Sequence, residues 1–454
     1  MVVRIIIVGC GKIGSTILES LTEEGHDVTA IDNDPDVIEE LTNIHDVMGV
    51  CGNGTDCEIL SEARVQDAEM FCAVTSSDEV NMLSCYLARK MGAKHTIARI
   101  RNPEYSLNSL GFLRQQLDLS MAINPEQLAA REMFNILKLP SAVKIETFSV
   151  RNFEIIELIL KDGSALTGVK LMDLRNKFKA KFLICVVRRG EKVYIPDGHF
   201  VLLPGDKIGL TAEPSEIQKL MRALGIDKKQ AKSVMILGGS RIAFYLSKML
   251  LAAGNSVKII ERDENKCNEI SDSLDKAMII HGDGAQQELL VEEGLDSIDA
   301  FVSLTGMDEE NILISIFAAA HGVPTVISKV NRNELAALAT KLGLDCVISP
   351  KEIVSDVLVQ YARALENSRG SNVETLYNIM DGKAEVLEFN VREDFKFIGI
   401  KLKDLRFNPG ILIAGIIRDR KPIIPTGDDV IMKRDKVIIL AADQRLNDLS
   451  DIIR

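Results

Sequence analysis

The feature that most restricts what this 454-residue chain can fold into is that its second half restates its first. Gly9 corresponds to Gly238 and Asp32 to Glu261, each 229 residues apart, while Gly52 and Gly282, Thr75 and Thr305, and Asn81 and Asn311 are each 230 apart. Lys170-Leu171-Met172-Asp173-Leu174-Arg175 returns as Lys401-Leu402-Lys403-Asp404-Leu405-Arg406, and Ile195-Pro196-Asp197-Gly198 returns as Ile424-Pro425-Thr426-Gly427. Matches kept in order at a nearly constant offset mean that one architecture was used twice.

Within each half a larger part is followed by a smaller one. Short apolar segments at Arg4 to Val8, Val28 to Ile31, Phe71 to Val74 and Thr96 to Ile100 read as strands. They alternate with helical patterns such as Ile13, Ile17, Leu18 and Leu21. Strand and helix in alternation predict a parallel sheet with crossover helices. After Pro140 the pattern changes to a strand (Phe153 to Leu160), a Lys161-Asp162-Gly163 turn, a short helix around Leu171 and a hairpin at Arg189-Gly190. The expected fold is α/β, with two Rossmann-like doubly wound parallel-sheet domains, each followed by a small α+β domain. Boundaries fall at 1–138, 139–228, 232–366 and 373–454, with polar linkers at Asp227 to Lys232 and Glu366 to Asn372.

Composition removes several classes of function. A net charge of -12 offers no basic field for nucleic acid. The first residues, Met1 to Gly9, flow into a turn and read as a strand, not as a signal peptide. Apolar runs such as Ile312 to Ala320 stop far short of the roughly 20 residues that cross a bilayer, so direct membrane insertion is not expected. The eight cysteines form no C-x-x-C pair and read as reduced thiols in apolar surroundings. Six scattered histidines give no metal-ligand spacing.

The first strand runs into Gly9-Cys10-Gly11-Lys12-Ile13-Gly14, which opens the first helix, and Asp32 ends the second strand. This is the dinucleotide-binding arrangement. Gly9 allows the tight turn, Gly11 lets backbone approach a pyrophosphate, and Gly14 lets helix and strand pack closely. The anion rests on amides of the helix N-terminus. Asp32 accepts from ribose hydroxyls and repels a 2′-phosphate, so NAD(H) or a plain adenine nucleotide (ATP or ADP) is favoured over NADP. The competing reading is a tight turn in an empty domain. A P-loop is excluded, because Ile13 follows Lys12 where Ser or Thr is required. In the second copy, Gly238-Gly239-Ser240-Arg241-Ile242-Ala243 replaces two motif glycines with Ser240 and Ala243. Glu261 still supplies a ribose acceptor and Arg241 a cation for phosphate, while the alternative is a lobe retained for assembly.

A dehydrogenase needs a proton donor or acceptor beside its cofactor. Tyr86 and Lys90 resemble the Y-x-x-x-K pair of short-chain dehydrogenases but come too early in the chain for that family, on a helix expected to pack on the sheet. Arg99 and Arg101 lie at the carboxyl end of the sheet, where ligands bind; the alternative is surface solvation.

The tandem arrangement resembles the family of peripheral subunits of Trk potassium uptake systems, which carry two RCK (KTN) units in one chain. The likeness rests on Gly9 to Gly14 with Asp32, Gly52-Asn53-Gly54-Thr55-Asp56, Thr75-Ser76, Ala98-Arg99-Ile100-Arg101-Asn102-Pro103, and the Lys-Leu-x-Asp-Leu-Arg and Pro-x-Gly elements of both small parts. The resemblance implies a cytoplasmic regulatory protein, peripheral on the inner face of the membrane, in a homo-oligomeric ring (a tetramer or dimer of dimers). Its partner would be an integral membrane potassium transporter, gated by nucleotide-dependent ring shape. By the same likeness Gly9, Cys10, Gly11, Lys12 and Ile13 contact pyrophosphate, Asp32 the ribose, Thr75 the far half of the nucleotide and Arg99 a phosphate. Asn53 departs from the family's usual acid at the adenine amino group, although its carbonyl can accept. The alternatives are an NAD-dependent oxidoreductase and a regulator of a different cation transporter.

Overall fold

A computed structural model describes residues 2–102, 105, 107–138, 144–147, 154–224, 231–344, 346–368, 373–380, 383–392, 395–419, 421–442, 446 and 448–454. The expected linkers lie largely outside these residues, as do Phe153 of the expected strand, Pro103 and Pro140. Contacts divide the chain into two compact units, Met1–Phe134 with Lys232–Glu366, and Asn135–Ala231 with Asn367–Arg454.

The first unit holds both Rossmann-like lobes. In the amino-terminal lobe the strands are β1 (Arg4–Val8), β2 (Asp27–Asp32), β3 (Met48–Cys51), β4 (Met70–Ala73), β5 (His95–Arg99) and β6 (Met121–Ile123). They are parallel, in the order β3-β2-β1-β4-β5-β6. Ile5, Ile6 and Ile7 are all buried because helices cover both faces of the sheet. Helix α1 (Lys12–Glu23) buries Ile17, Leu18 and Leu21 on one stripe. Helix α2 (Pro35–Ile44) starts where Asp34 accepts from the Asp36 amide and Pro35 presets the first turn. Helix α3 (Cys57–Glu62) follows β3. Helix α4 (Asp78–Met91) starts at Ser77, which accepts from the Val80 amide, and ends at Gly92, whose φ of 122° no other residue adopts readily. Helices α5 (Leu107–Gln116) and α6 (Pro125–Lys138) complete the lobe.

The second lobe repeats the plan, with parallel strands from Ser233–Leu237 to Cys346–Ile348 in the corresponding order. Its last helix, Pro350–Ser368, serves the other lobe. Val354, Leu358, Val359 and Ala362 enter the core that contains Ile17, Leu18 and Ile97. Each large aliphatic side chain so buried contributes roughly 1.5–3 kcal/mol. Tyr361 Oη lies 3.1 Å from His95 Nδ1, and Arg363 Nε donates to Glu24 Oε2 at 2.6 Å. From the second lobe Tyr245 Oη also donates to the Arg101 carbonyl at 3.1 Å and accepts from Asn124 Nδ2 at 3.0 Å. The lobes are therefore interlocked.

The second unit contains two five-stranded antiparallel sheets. The first follows the expected pattern, with strand Glu154–Ile159, the turn with Gly163 at φ 79°, helix Leu171–Phe178 and the hairpin of Phe182–Arg189 with Lys192–Tyr194. In both copies the Pro-x-Gly element meets the Lys-Leu element: Met172 N donates to Gly198 O, and Lys403 N to Gly427 O. The second copy keeps only a 3-10 turn, Leu402–Asp404, after which Leu405 is already extended. The sheets share an apolar core in which Ile155, Cys185 and Val186 meet Ile379, Met380 and Ala414.

Among the described residues no helix is long and apolar enough to cross a membrane, and no group of three or more His, Cys, Asp and Glu could hold a metal ion. None of the eight cysteines is joined in a disulfide; six are buried as expected, but Cys51 and Cys57 are exposed. Burial, reinforced by the Asp32 charge, pushes the Cys10 thiol up to about 12, and burial alone pushes Cys72 to about 12. Thiolate is the reactive form. Iodoacetamide at pH 8 is therefore expected to label two thiols in the native chain and eight in guanidinium, counted by mass spectrometry. Rapid native labelling of Cys10 or Cys72 would contradict this burial.

Candidate nucleotide site

The crevice opens where the strand order reverses, between β1 and β4, and encloses about 570 Å³. Gly9 has φ 88°, and a Cβ there would lie 2.7 Å from Thr75 N. A Cβ on Gly14 would lie 2.0 Å from Gly9 O, so this glycine keeps α1 close to the strand. Gly11 is different. Its φ is -68°, and among the described residues a Cβ there would meet nothing within 4 Å. The fold does not require glycine at this position; it borders a cradle that a side chain would fill. No side chain caps α1 at Gly11, so the helix presents uncapped first-turn amides.

Asp32 borders the same crevice. Its Oδ2 accepts from Cys10 N at 2.6 Å and Oδ1 from Asp34 N at 3.0 Å, which leaves further lone pairs for ribose hydroxyls. One expectation needs correction here and another meets competition. The Cys10 amide is committed to Asp32 and its thiol is buried toward the Ile7 and Ile31 carbonyls, so neither faces a pyrophosphate. Asn53 borders the crevice, yet its carbonyl oxygen already accepts from the Thr55 amide at 3.0 Å and hydroxyl at 2.9 Å. An adenine amino group would have to share it.

On the opposite wall stand Thr75, Ser76 and Arg99. Asn81, fully buried, links two of them: its Oδ1 accepts from Thr75 N (2.8 Å) and Thr75 Oγ1 (2.7 Å), and its Nδ2 donates to the Arg99 carbonyl at 2.9 Å. Asn311 repeats this with Thr305 and Lys329. Asn81 and Asn311 are legible as a repeated pair, but their positioning role comes only from the fold. Surface solvation does not describe the arginines, whose side chains are 13% (Arg99) and 18% (Arg101) exposed. Arg99 reaches the Val74 and Thr75 carbonyls at 3.4 and 3.5 Å, and its Nε has no hydrogen-bond partner among the described residues. Burial, then the neighbouring Arg101, holds its guanidinium below its ordinary value, partly offset by the Glu126 carboxylate 3.8 Å away; a ligand anion would offset it further. Arg101 is turned to Asp78 and the Ser76 carbonyl.

The second lobe has a crevice of about 290 Å³ in the same place. Gly238 has φ 93°, and Glu261 Oε2 accepts from Gly239 N at 2.6 Å. Ser240 Oγ accepts from Ala243 N, capping the helix that Gly11 leaves open in the first lobe. Arg241 and Ile242 do not border this crevice. Arg241 stands one turn before Tyr245 on the face that meets the first lobe, and its charge acts on Arg99. The Lys12 charge reciprocally acts on Lys329, which stands where the first lobe has Arg99. Tyr86 and Lys90 border neither crevice; Lys90 Nζ lies 5.4 Å over the Tyr86 ring, an ordinary pairing one helical turn apart.

The TrkA-N domain family matches residues 5–125 and 234–350, and the TrkA-C domain family matches 155–225 and 386–454. The Trk system potassium uptake protein TrkA homolog of Archaeoglobus fulgidus is 31% identical over 451 residues, covering 99% of this chain and 100% of that protein. The Trk system potassium uptake protein TrkA of Haemophilus influenzae is 31% identical over 456 residues, covering 99% and 96%. Among solved structures, the GsuK channel matches with a TM-score of 0.65 at 18% identity, and the GsuK channel bound to NAD with 0.63 at 18%, each covering 98% of this chain and 77% of that one. At such identity the likeness is one of fold. The duplication read from the sequence is thus a tandem of TrkA-N and TrkA-C domains, and the chain belongs to the TrkA family of Trk potassium uptake proteins.

Proposed function

We propose that this chain is a cytoplasmic, non-enzymatic regulatory subunit, with domains at 1–138, 139–228, 232–366 and 373–454. It binds NAD(H), with ADP or ATP as competitors, and thereby gates an integral membrane potassium uptake transporter. The observation that carries the reading is Gly11: a glycine that the fold itself does not need, facing a cavity walled by Asp32 and Arg99. In that cavity the amides of Gly11, Lys12 and Ile13 would receive pyrophosphate, Asp32 a ribose, and Thr75 and Ser76 the far half of the ligand. Arg99 would meet a phosphate, with Arg241 approaching from the second lobe. The names of the relatives support potassium uptake, and the NAD-bound GsuK channel supports the ligand on the same fold.

A homo-oligomeric ring, a tetramer or dimer of dimers, is supported by repeated exposed apolar residues. Leu83 and Leu313 occupy equivalent positions and are 49% and 67% exposed; Phe112 in α5 and Leu338 in the corresponding helix Asn333–Lys341 are also exposed, at 63% and 48%. The nucleotide can act only through different affinities for two ring states, a coupling of roughly 1–3 kcal/mol in typical systems.

Calorimetric titration of the full chain with NAD, NADH, ADP and ATP is expected to show saturable binding. Nucleotide is also expected to change the amount of chain that sediments with membranes holding its transporter. Absence of heat at millimolar nucleotide would end the proposal.

A further inference from the structure

We infer that the second lobe's crevice is a mononucleotide site, taking a nucleoside mono- or diphosphate and excluding a dinucleotide. The inference extends the nucleotide reading of the first lobe to a site of different ligand class. Both crevices occupy the same place in the same fold, but the second encloses about 290 Å³ against about 570 Å³. Small-molecule sites span roughly 300–1,000 Å³, so the second stands at the lower limit.

The lost space has identifiable causes. Where the first crevice is walled by Ser77 and Val80, the second has Met307 and Glu310. Both replacements are longer and sit beyond the helix N-terminus, where the far half of a dinucleotide must lie. Ser240 replaces Gly11, and its hydroxyl occupies the Ala243 amide that an uncapped helix would offer to a phosphate. Lys12 and Ile13 border the first crevice, whereas Arg241 and Ile242 have left the second. The acidic Glu310 further opposes a long polyanionic ligand.

The near half is intact. Gly238 keeps its turn, and Glu261, 7% exposed, is fixed by the Gly239 and Asp263 amides with lone pairs remaining for ribose. Arg262 and Lys266 border this end, where the first crevice has Asn33 and no cation. At the phosphate end Lys329 is held against the Thr305 carbonyl at 2.5 Å. A ribose carboxylate, one turn and one phosphate-end cation make a nucleoside mono- or diphosphate the matching class.

Equilibrium dialysis of the full chain tests this with NADH and ADP as probes. NADH is expected to saturate at one per chain and ADP at two. Gly11→Val should weaken binding at the first lobe by on the order of 100-fold, so that at concentrations saturating the unmodified chain one ADP and no NADH remain bound, whereas the Met307→Ser, Glu310→Val double variant should raise NADH toward two. NADH saturating at two on the unmodified chain overturns the inference, as does ADP saturating at one and disappearing in Gly11→Val. The last result would leave the first-lobe reading standing; no binding of either probe would end both.

Discussion

Gly11→Val is expected to weaken NADH binding to the first lobe by on the order of 100-fold, equivalent to about 2.7 kcal/mol, while the chain stays folded. The backbone at Gly11 is extended, with φ -68° and ψ -166°, so valine fits without strain, and no described atom lies within 4 Å of the added Cβ. The helix start loses little, about 1 kcal/mol or less, because glycine supplies no side-chain acceptor there either. What the valine does occupy is the approach path of the pyrophosphate. Gly14→Ala is the contrasting control: its Cβ would stand 2.0 Å from Gly9 O, forcing helix and strand apart. That variant should lose roughly 1–3 kcal/mol or more of stability. Thermal melts with NADH fluorescence titrations separate the two. If Gly11→Val bound NADH as tightly as the unmodified chain, the anion does not rest on this turn.

The contrast between these glycines marks how far the sequence could be read. The duplication, the strand and helix alternation and the roles of Gly9 and Gly14 were legible because local spacing causes them. Asp32 was legible for the same reason: it ends a strand at a fixed distance from the motif. The commitment of the Cys10 amide to Asp32 was not, since it depends on how β1 and β2 align. Nor was the inward turn of the Asn53 carbonyl, which a neighbouring Thr55 decides. Arg241 shows the larger difficulty. Its place in the motif assigned it to the second crevice, but the helix it opens docks by Tyr245 against the Arg101 carbonyl and Asn124, which aims it at the first lobe. Helix Pro350–Ser368 likewise reads as part of its own lobe and instead fills the other's core. Long-range packing, not periodicity, selects such partners.

Long-range packing also places charge inside the second unit, where Lys207→Met is expected to cost 3–5 kcal/mol, the usual effect of stranding one member of a buried ion pair. Glu157 is 1% and Lys207 6% exposed, and Lys207 Nζ lies 2.7 Å from Glu157 Oε2. The other carboxylate oxygen accepts from Met380 N at 2.6 Å, so the pair also ties the first small sheet to the second. The second copy has the corresponding pair, Glu388 with Lys436 at 3.1 Å. A loss of that size is a large part of the 5–15 kcal/mol that stabilises a typical domain. The Glu157→Leu, Lys207→Met double variant removes both charges and should recover part of the loss. It should still fall short by about 1–3 kcal/mol, because the Met380 amide would be left buried without its acceptor. Urea denaturation of both variants and the unmodified chain measures the difference. Equal stability of single and double variants would show that a stranded Glu157 carboxylate is not what destabilises the single variant, and would overturn the argument from the pair.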